Sequence, residues 1–172
     1  MILNLRGFEE FPADIRIEAE PGQFKSLSGR VIRVEKVVVE LAVQKSGEEY
    51  FCQGSVSAQL LMECARCLAE FPMEVDSKTD FVISAGMLAE KHKDVIDDED
   101  YVLLRGNDLC VDVSEPVRQA VVLSLPLKPL CSEECKGLCA RCGTNLNKKT
   151  CSCVIEETDS RWDGLRDIFP GK

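Results

Sequence analysis

The stretch "YFCQGSVSAQLLME", residues 50–63, decides the fold. Cys52, Gly54, Val56, Ala58, Leu60 and Met62 are apolar or small at every second position, and Gln53, Ser55, Ser57, Gln59 and Glu63 oppose them. A side-chain period of two belongs to a strand with one buried and one wet face. Leu61 is the one exception. Upstream, "VIRVEKVVVELAV" (31–43) puts Ile32 and Val34 on one face and then Val37, Val39, Leu41 and Val43 inward. The phase slip at Glu35 and Lys36 predicts a bulge or bend within one long strand. "SGEE" at 46–49 predicts the hairpin turn between these two runs. Downstream, "FPMEVDSKTDFVI" (71–83) sets Phe71, Met73, Val75, Phe81 and Ile83 against Glu74, Asp76, Lys78 and Asp80, a third strand with Pro72 near its start or on an edge. The connections are short, which predicts antiparallel pairing.

Beyond this core, "AEKHKDVIDDED" (89–100) has no apolar period and reads as a solvated loop, and "YVLLRGNDLCVDV" (101–113) as one or two short strands broken at Gly106 and Asn107. "SEPVRQAVVLSLP" (114–126) predicts a helix: Ser114 as cap, Glu115 and Pro116 in the first turn, Val117, Ala120, Val121 and Leu125 on one face, Pro126 as the stop. In the tail, "DSRWDGLRDIF" carries Trp162, Leu165, Ile168 and Phe169 along one side of a short helix. The expected fold is α+β: an antiparallel sheet or partly open barrel with one main helix over residues 1–125, a cysteine-rich, zinc-ribbon-like module at 126–155 packed on it, and a helical tail at 156–172. Strand–helix alternation of the kind that builds a parallel nucleotide-binding sheet is absent.

Composition bounds the function. At 172 residues and 45% hydrophobic content the chain can bury a core without disulfides. Neither a secretory h-region nor a long apolar span is read, so the expected address is the cytoplasm, with no membrane partner and with thiols kept reduced. The net charge of −9 repels nucleic acid as a whole-molecule field. Its distribution is uneven: between Pro126 and Cys153, five basic residues (Lys128, Lys136, Arg141, Lys148, Lys149) face Glu133 and Glu134, a local +3 that leaves −12 for the rest.

Eight of the ten cysteines fall in close pairs: Cys64/Cys67, Cys131/Cys135, Cys139/Cys142 and Cys151/Cys153. A structural zinc ion takes four thiolates tetrahedrally, and a tight turn presents two sulfurs to one ion at little ordering cost. Eight ligands are the stoichiometry of two four-cysteine sites, so one or two structural zinc ions are expected, and Gly143 after Cys142 suits the positive φ of a metal knuckle. Cys139/Cys142 and Cys151/Cys153, separated by "GTNLNKKT", can close a ribbon by themselves. Cys131/Cys135 would then join Cys64/Cys67 and staple the end of the helix to the turn of the sheet. A rival partition gathers Cys131, Cys135, Cys139 and Cys142 around one ion. Structural disulfides, a thioredoxin-type redox pair and an iron–sulfur cluster are the competing uses of these thiols. Cys52 and Cys110 read as buried core thiols.

No catalytic residue and no small-molecule substrate are read from the chain. His92, between two lysines, and Asp97, Asp98, Glu99 and Asp100 read as solvated side chains, and no nucleophile elbow, phosphate loop or histidine dyad is present.

Three stretches together, "LMECARCLAEF", "LSLPLKPLCSEECKGLCARCGTNLNKKTCSC" and "DSRWDGLRDIF", resemble the YceD family, the large ribosomal RNA subunit accumulation proteins. Ala140 stands where that family usually carries proline. The resemblance implies a non-enzymatic ribosome-biogenesis factor supporting accumulation of 23S ribosomal RNA and assembly of the large subunit. Charge then suggests that the acidic sheet domain engages a basic partner, such as a large-subunit ribosomal protein on a pre-50S particle, with weak rRNA contact through Lys136, Arg141, Lys148 and Lys149. The competing readings are a zinc ribbon acting directly on rRNA, and a thiol redox protein.

Overall fold

A computed structural model gives the fold and describes residues 1–6, 8, 10–19, 22, 24, 27, 29–84, 101–104 and 109–154. Its strands are β1 (Ile2–Asn4), β2 (Ala13–Ala19), β3 (Val31–Ser46), β4 (Glu49–Glu63), β5 (Glu70–Ser84), β6 (Tyr101–Leu103) and β7 (Cys110–Asp112), and its one helix among the described residues is α1 (Ser114–Ser124). Five strands form one sheet in the order β2-β3-β4-β5-β6, and β1 pairs with β7 in a second sheet of two. The larger sheet is an open half-barrel with β2 and β6 as its edges.

The alternation in 50–63 becomes β4, whose Tyr50, Cys52, Val56, Ala58, Leu60 and Met62 are buried while Gln53, Ser55, Ser57 and Gln59 are exposed. In β3 the slip is a break in register between Val34 and Lys36, after which Val37, Val39, Leu41 and Val43 face the core. A second break, between Val31 and Arg33, separates Ile32 from Val34: Val34 is buried and Ile32 is exposed, so the two do not share a face. The hairpin closes through Gly47 at φ 62°, the glycine-first arrangement of a tight two-residue connection. Pro72 lies near the start of β5 opposite Leu61, on the stretch that β6 does not reach, so one side of the strand is an open edge there, the setting in which a sheet tolerates proline.

The expectation of a wholly antiparallel sheet needs one correction. β2 to β5 are antiparallel, but β6 runs parallel to β5 over Val82–Ser84. The short-connection rule applies to hairpins; residues 85–100 intervene here, long enough for a crossover.

α1 packs on β4 and β5 and buries Pro116, Val117, Ala120 and Val121, with Leu125 partly buried against the same core. Ser114 is not its cap. Asp112, at the end of β7, accepts from Ser114 N at 2.9 Å, so the strand's last carboxylate satisfies an amide of the first turn. Leu125 is extended (ψ 135°), as a residue before proline must be, and the helix stops there. Among the described residues no helix is long and apolar enough to cross a membrane.

By contacts the chain divides into two units: Met1–Ala65 with Ala69–Cys131, and Arg66–Leu68 with Ser132–Lys172, the latter described as far as residue 154. The hydrophobic core belongs to the first unit. The second has no α-helix or named strand among its described residues; a Leu138–Asn145 bridge is its only ladder contact. The expected loop at 89–100 with His92 and Asp97–Asp100, the break at Gly106 and Asn107, and the helical tail with Trp162 all lie outside the described residues.

Candidate metal centres

Two local structures carry the C-x2-C pairs, and they follow one rule. Between β4 and β5, Cys64 N donates to Ala69 O at 2.9 Å, and Leu68, directly after Cys67, takes a left-handed φ of 57°. At 139–144, Cys139 N donates to Thr144 O at 2.8 Å, and Gly143, directly after Cys142, takes φ 71°. In both, the residue after the second cysteine reverses the chain so that the first cysteine's amide closes the loop five residues on. Glycine signals this at 143. At Leu68 no glycine stands, so the C-x2-C spacing marks this knuckle in the sequence but not the left-handed residue that closes it.

The structure brings together Cys64, Cys67, Cys131 and Cys135 in one cluster and Cys139, Cys142, Cys151 and Cys153 in another, the sulfurs of each lying within 4.8 Å of one another. Four thiolates at about 2.3 Å from a tetrahedral zinc stand about 3.8 Å apart, so both donor sets fit such an ion. The rival grouping of Cys131, Cys135, Cys139 and Cys142 does not form. In the first cluster Cys64, Cys67 and Cys135 are buried and Cys131 is exposed; in the second only Cys139 is buried, with Cys142 exposed and Cys151 and Cys153 half-buried.

Amides already face some of these sulfurs. Cys131 N donates to Cys64 Sγ at 3.4 Å, and Asn147 Nδ2 to Cys135 Sγ at 3.3 Å. Hydrogen bonds of this kind favour thiolate over thiol. In the second cluster, the hydrogen bond between Cys142 Sγ and Thr144 Oγ1, at 3.2 Å, leads the effects that bring Cys142 down to about 6. Its hydrogen bond with Cys142 leads those that push Cys153 up to about 12. A divalent cation bound here would resolve this crowding by displacing the remaining protons.

Arg66, in the first knuckle, holds the approach to Cys135: its Nη1 donates to Glu133 O at 3.2 Å and to Cys135 O at 2.9 Å, and its carbonyl accepts from Leu138 N at 3.2 Å. Gly137 presses against it. A Cβ on Gly137 would sit 3.0 Å from Arg66 O, whereas one on Gly143 would meet nothing within 4 Å, although both residues have φ near 70° (73° and 71°). Gly143→Ala is therefore expected to cost about 1–2 kcal/mol, the strain of a left-handed L-residue. Gly137→Ala is expected to cost about 1 kcal/mol more, because the Arg66 carbonyl must also give way. Urea midpoints of the metal-loaded variants measure the difference, and equal midpoints would contradict it.

Lys136, Arg141, Lys148 and Lys149 are all exposed; Arg141 Nη1 donates to Val154 O at 3.2 Å. Cys52 is buried in the sheet core, and burial pushes its thiol up to about 12. Cys110 is a correction. It is exposed, because the alternation of β7 gives the inward position to Val111.

The family model described as "Large ribosomal RNA subunit accumulation protein YceD" matches residues 52–169. The chain is 27% identical over 146 residues to large ribosomal RNA subunit accumulation protein YCED homolog 1, chloroplastic, of Arabidopsis thaliana, covering 81% of this chain and 44% of that protein. It is 32% identical over 131 residues to an uncharacterized protein of Mycobacterium tuberculosis, covering 76% and 61%. It is 23% identical over 145 residues to YlbN of Bacillus subtilis, covering 83% and 76%. The chain spans roughly half the length of the first two of these relatives. No solved structure matches it.

Proposed function

The chain belongs to the YceD family, and from that premise we propose that it is a non-enzymatic ribosome-biogenesis factor supporting accumulation of large-subunit 23S ribosomal RNA, with structural zinc at its two cysteine clusters. The observation that carries the metal half is the pair of four-sulfur sets, each within 4.8 Å, with N–H donors on two of the sulfurs. With four protein ligands the coordination shell is closed, leaving no open position for zinc catalysis, so the ions organise the chain. Four thiolates on iron or an iron–sulfur cluster give visible absorption that zinc lacks, and metal analysis with a spectrum separates them.

The partner is read from charge. Each filled tetrathiolate carries about −2, so a zinc ion in the second cluster takes the local +3 of residues 126–153 to about +1, a weak phosphate clamp. The sheet supplies the opposite sign. On β2 and β3 most of the exposed charges are paired, Arg16 with Glu18 and Glu40, Lys36 with Glu18, and Arg33 with Glu35. On β5, Glu70, Glu74, Asp76 and Asp80 are exposed against Lys78, with no ion pair to any of them among the described residues. This supports a basic protein partner, a large-subunit ribosomal protein on a pre-50S particle, with Lys136, Arg141, Lys148 and Lys149 touching rRNA weakly.

Two variants test the reading. Glu70→Gln, Glu74→Gln, Asp76→Asn and Asp80→Asn together are expected to reduce co-purification with large-subunit ribosomal proteins about tenfold, mainly through a slower on-rate. Substituting the four basic residues by alanine is expected to change it little. The reverse result, with tight binding to bare 23S fragments and a steep salt slope, would favour the zinc ribbon acting directly on rRNA.

A further inference from the structure

Resting on the two-site reading, we infer that Asn147 is the positioning residue of the Cys64/Cys67/Cys131/Cys135 site, donating to the Cys135 sulfur from a loop whose ends are ligands of the other site, so that metal binding at the two sites is coupled. Asn147 lies in "GTNLNKKT" (143–150), between Cys142 and Cys151. Its Nδ2 donates to Cys135 Sγ at 3.3 Å, its Oδ1 accepts from Lys136 N at 2.7 Å, and both Nδ2 and its own N donate to Asn145 Oδ1 at 3.0 Å. The direction of the amide is fixed by chemistry. Lys136 N can only donate, so the carbonyl end must face it, and the NH₂ end is left for the sulfur.

One side chain thus holds the backbone amide next to a ligand and the ligand's own sulfur. A carboxamide proton facing a thiolate stabilises the anion and fixes the direction of its lone pairs. Besides the Asn147 side chain, backbone bonds dock the loop that carries it: Leu146 N donates to Gly137 O at 2.9 Å, Leu138 bridges Asn145, and Cys139 N donates to Thr144 O. None of its residues belongs to the hydrophobic core, so apolar burial does not set its shape. Its ends do. A metal bound by Cys142 and Cys151 fixes both ends and presents Asn147 to Cys135; by reciprocity, a metal bound through Cys135 favours the loop conformation that the second site needs.

Cobalt(II) titration of the full chain tests this, because thiolate-to-cobalt bands report sulfur ligation directly. Asn147→Ala is expected to weaken the first site about 10–100-fold, the usual size of such an outer partner, and to shift its charge-transfer band. Asn147→Asp is the sharper variant. It keeps the size of asparagine and an acceptor for Lys136 N but has no proton for the sulfur and sets a negative charge against it, so it is expected to bind cobalt at the first site more weakly than alanine does. A loop-shaping role alone predicts the opposite order.

In a Cys142→Ser, Cys151→Ser background the first site is expected to lose the same factor, with Asn147→Ala adding nothing further. Additive losses would overturn the coupling. Should that background fail to fold, the order of aspartate and alanine in the chain with all its cysteines still decides. Two cobalt ions bound to Asn147→Asp with unchanged affinity and spectrum would overturn this inference alone, whereas a chain that gives no thiolate–cobalt bands would overturn the two-site reading beneath it.

Discussion

Chelation of the metal-loaded protein is expected to unfold residues 132–154 and leave the sheet core standing. Every member of the hydrophobic core lies at or before Val121, with Leu125 the last residue packed against it. Between 132 and 154 the only buried residues are Cys135, Gly137 and Cys139, two of them candidate ligands. A segment with no apolar core and few hydrogen bonds cannot offset its own conformational entropy. Apparent binding energies of about 10–16 kcal/mol per structural zinc then supply the folding energy there.

Thiol counting reads this out. In the loaded native protein a polar alkylating reagent is expected to label Cys110 alone, because the eight clustered thiols are ligated and Cys52 is buried with its thiol near 12. Chelator is expected to release the eight, and denaturant the last. Amide hydrogen exchange completes the test: after chelation, residues 132–154 should exchange at once while Val37–Leu41 and Val56–Leu60 stay protected. A metal-free chain that keeps 132–154 protected would contradict the assignment, as would native labelling of a C-x2-C thiol, the behaviour of a redox pair.

The sequence made legible what depends on local spacing. The alternation in 50–63 and the slip at Glu35 and Lys36 follow from side-chain period, and the grouping of cysteines from the short distance a knuckle spans. It did not reveal features that depend on what lies across the fold. β2 escaped although Ile15 and Ile17 alternate with Asp14, Arg16 and Glu18, because a seven-residue edge strand carries few positions to count. The parallel β6 has three residues, too few to state a direction. Ser114 has the chemistry of a cap, but the carboxylate already at the end of β7 does the work. Asn147 reads as one turn former among several, and only the placement of Lys136 N and Cys135 Sγ distinguishes it. Leu68 adopts a glycine-like φ that no one-dimensional rule would assign to leucine.

Gly54→Ala is expected to destabilise the protein by about 3 kcal/mol or more, among the largest effects of any single added methyl group here. By alternation Gly54 reads as one more small inward residue between Cys52 and Val56. The structure gives a stronger reason for it. A Cβ at this position would stand 1.8 Å from Glu40 O, 2.8 Å from Glu40 C and 2.9 Å from Leu41 Cα, all backbone atoms of the neighbouring strand. A flexible side chain could swing aside, but these atoms are held in the β3–β4 ladder between Leu41 and Gly54, with Thr79 of β5 paired on the other side. Relief requires β4 to retreat from β3 by more than an ångström, and that disturbs Val39, Leu41, Cys52 and Val56, each at most 2% exposed. At about 2–4 °C per kcal/mol for a chain of this size, the loss should lower Tm by about 6–12 °C. Ser55→Ala, on the exposed side of the same strand, should stay within about 0.5 kcal/mol of the parent. Metal content should be unchanged in both variants, since Gly54 is ten residues along β4 from Cys64 and no candidate ligand lies among the residues its Cβ would meet, and a Gly54→Ala protein that melts with the parent would show that the close approach of β3 and β4 is not a feature of the native sheet.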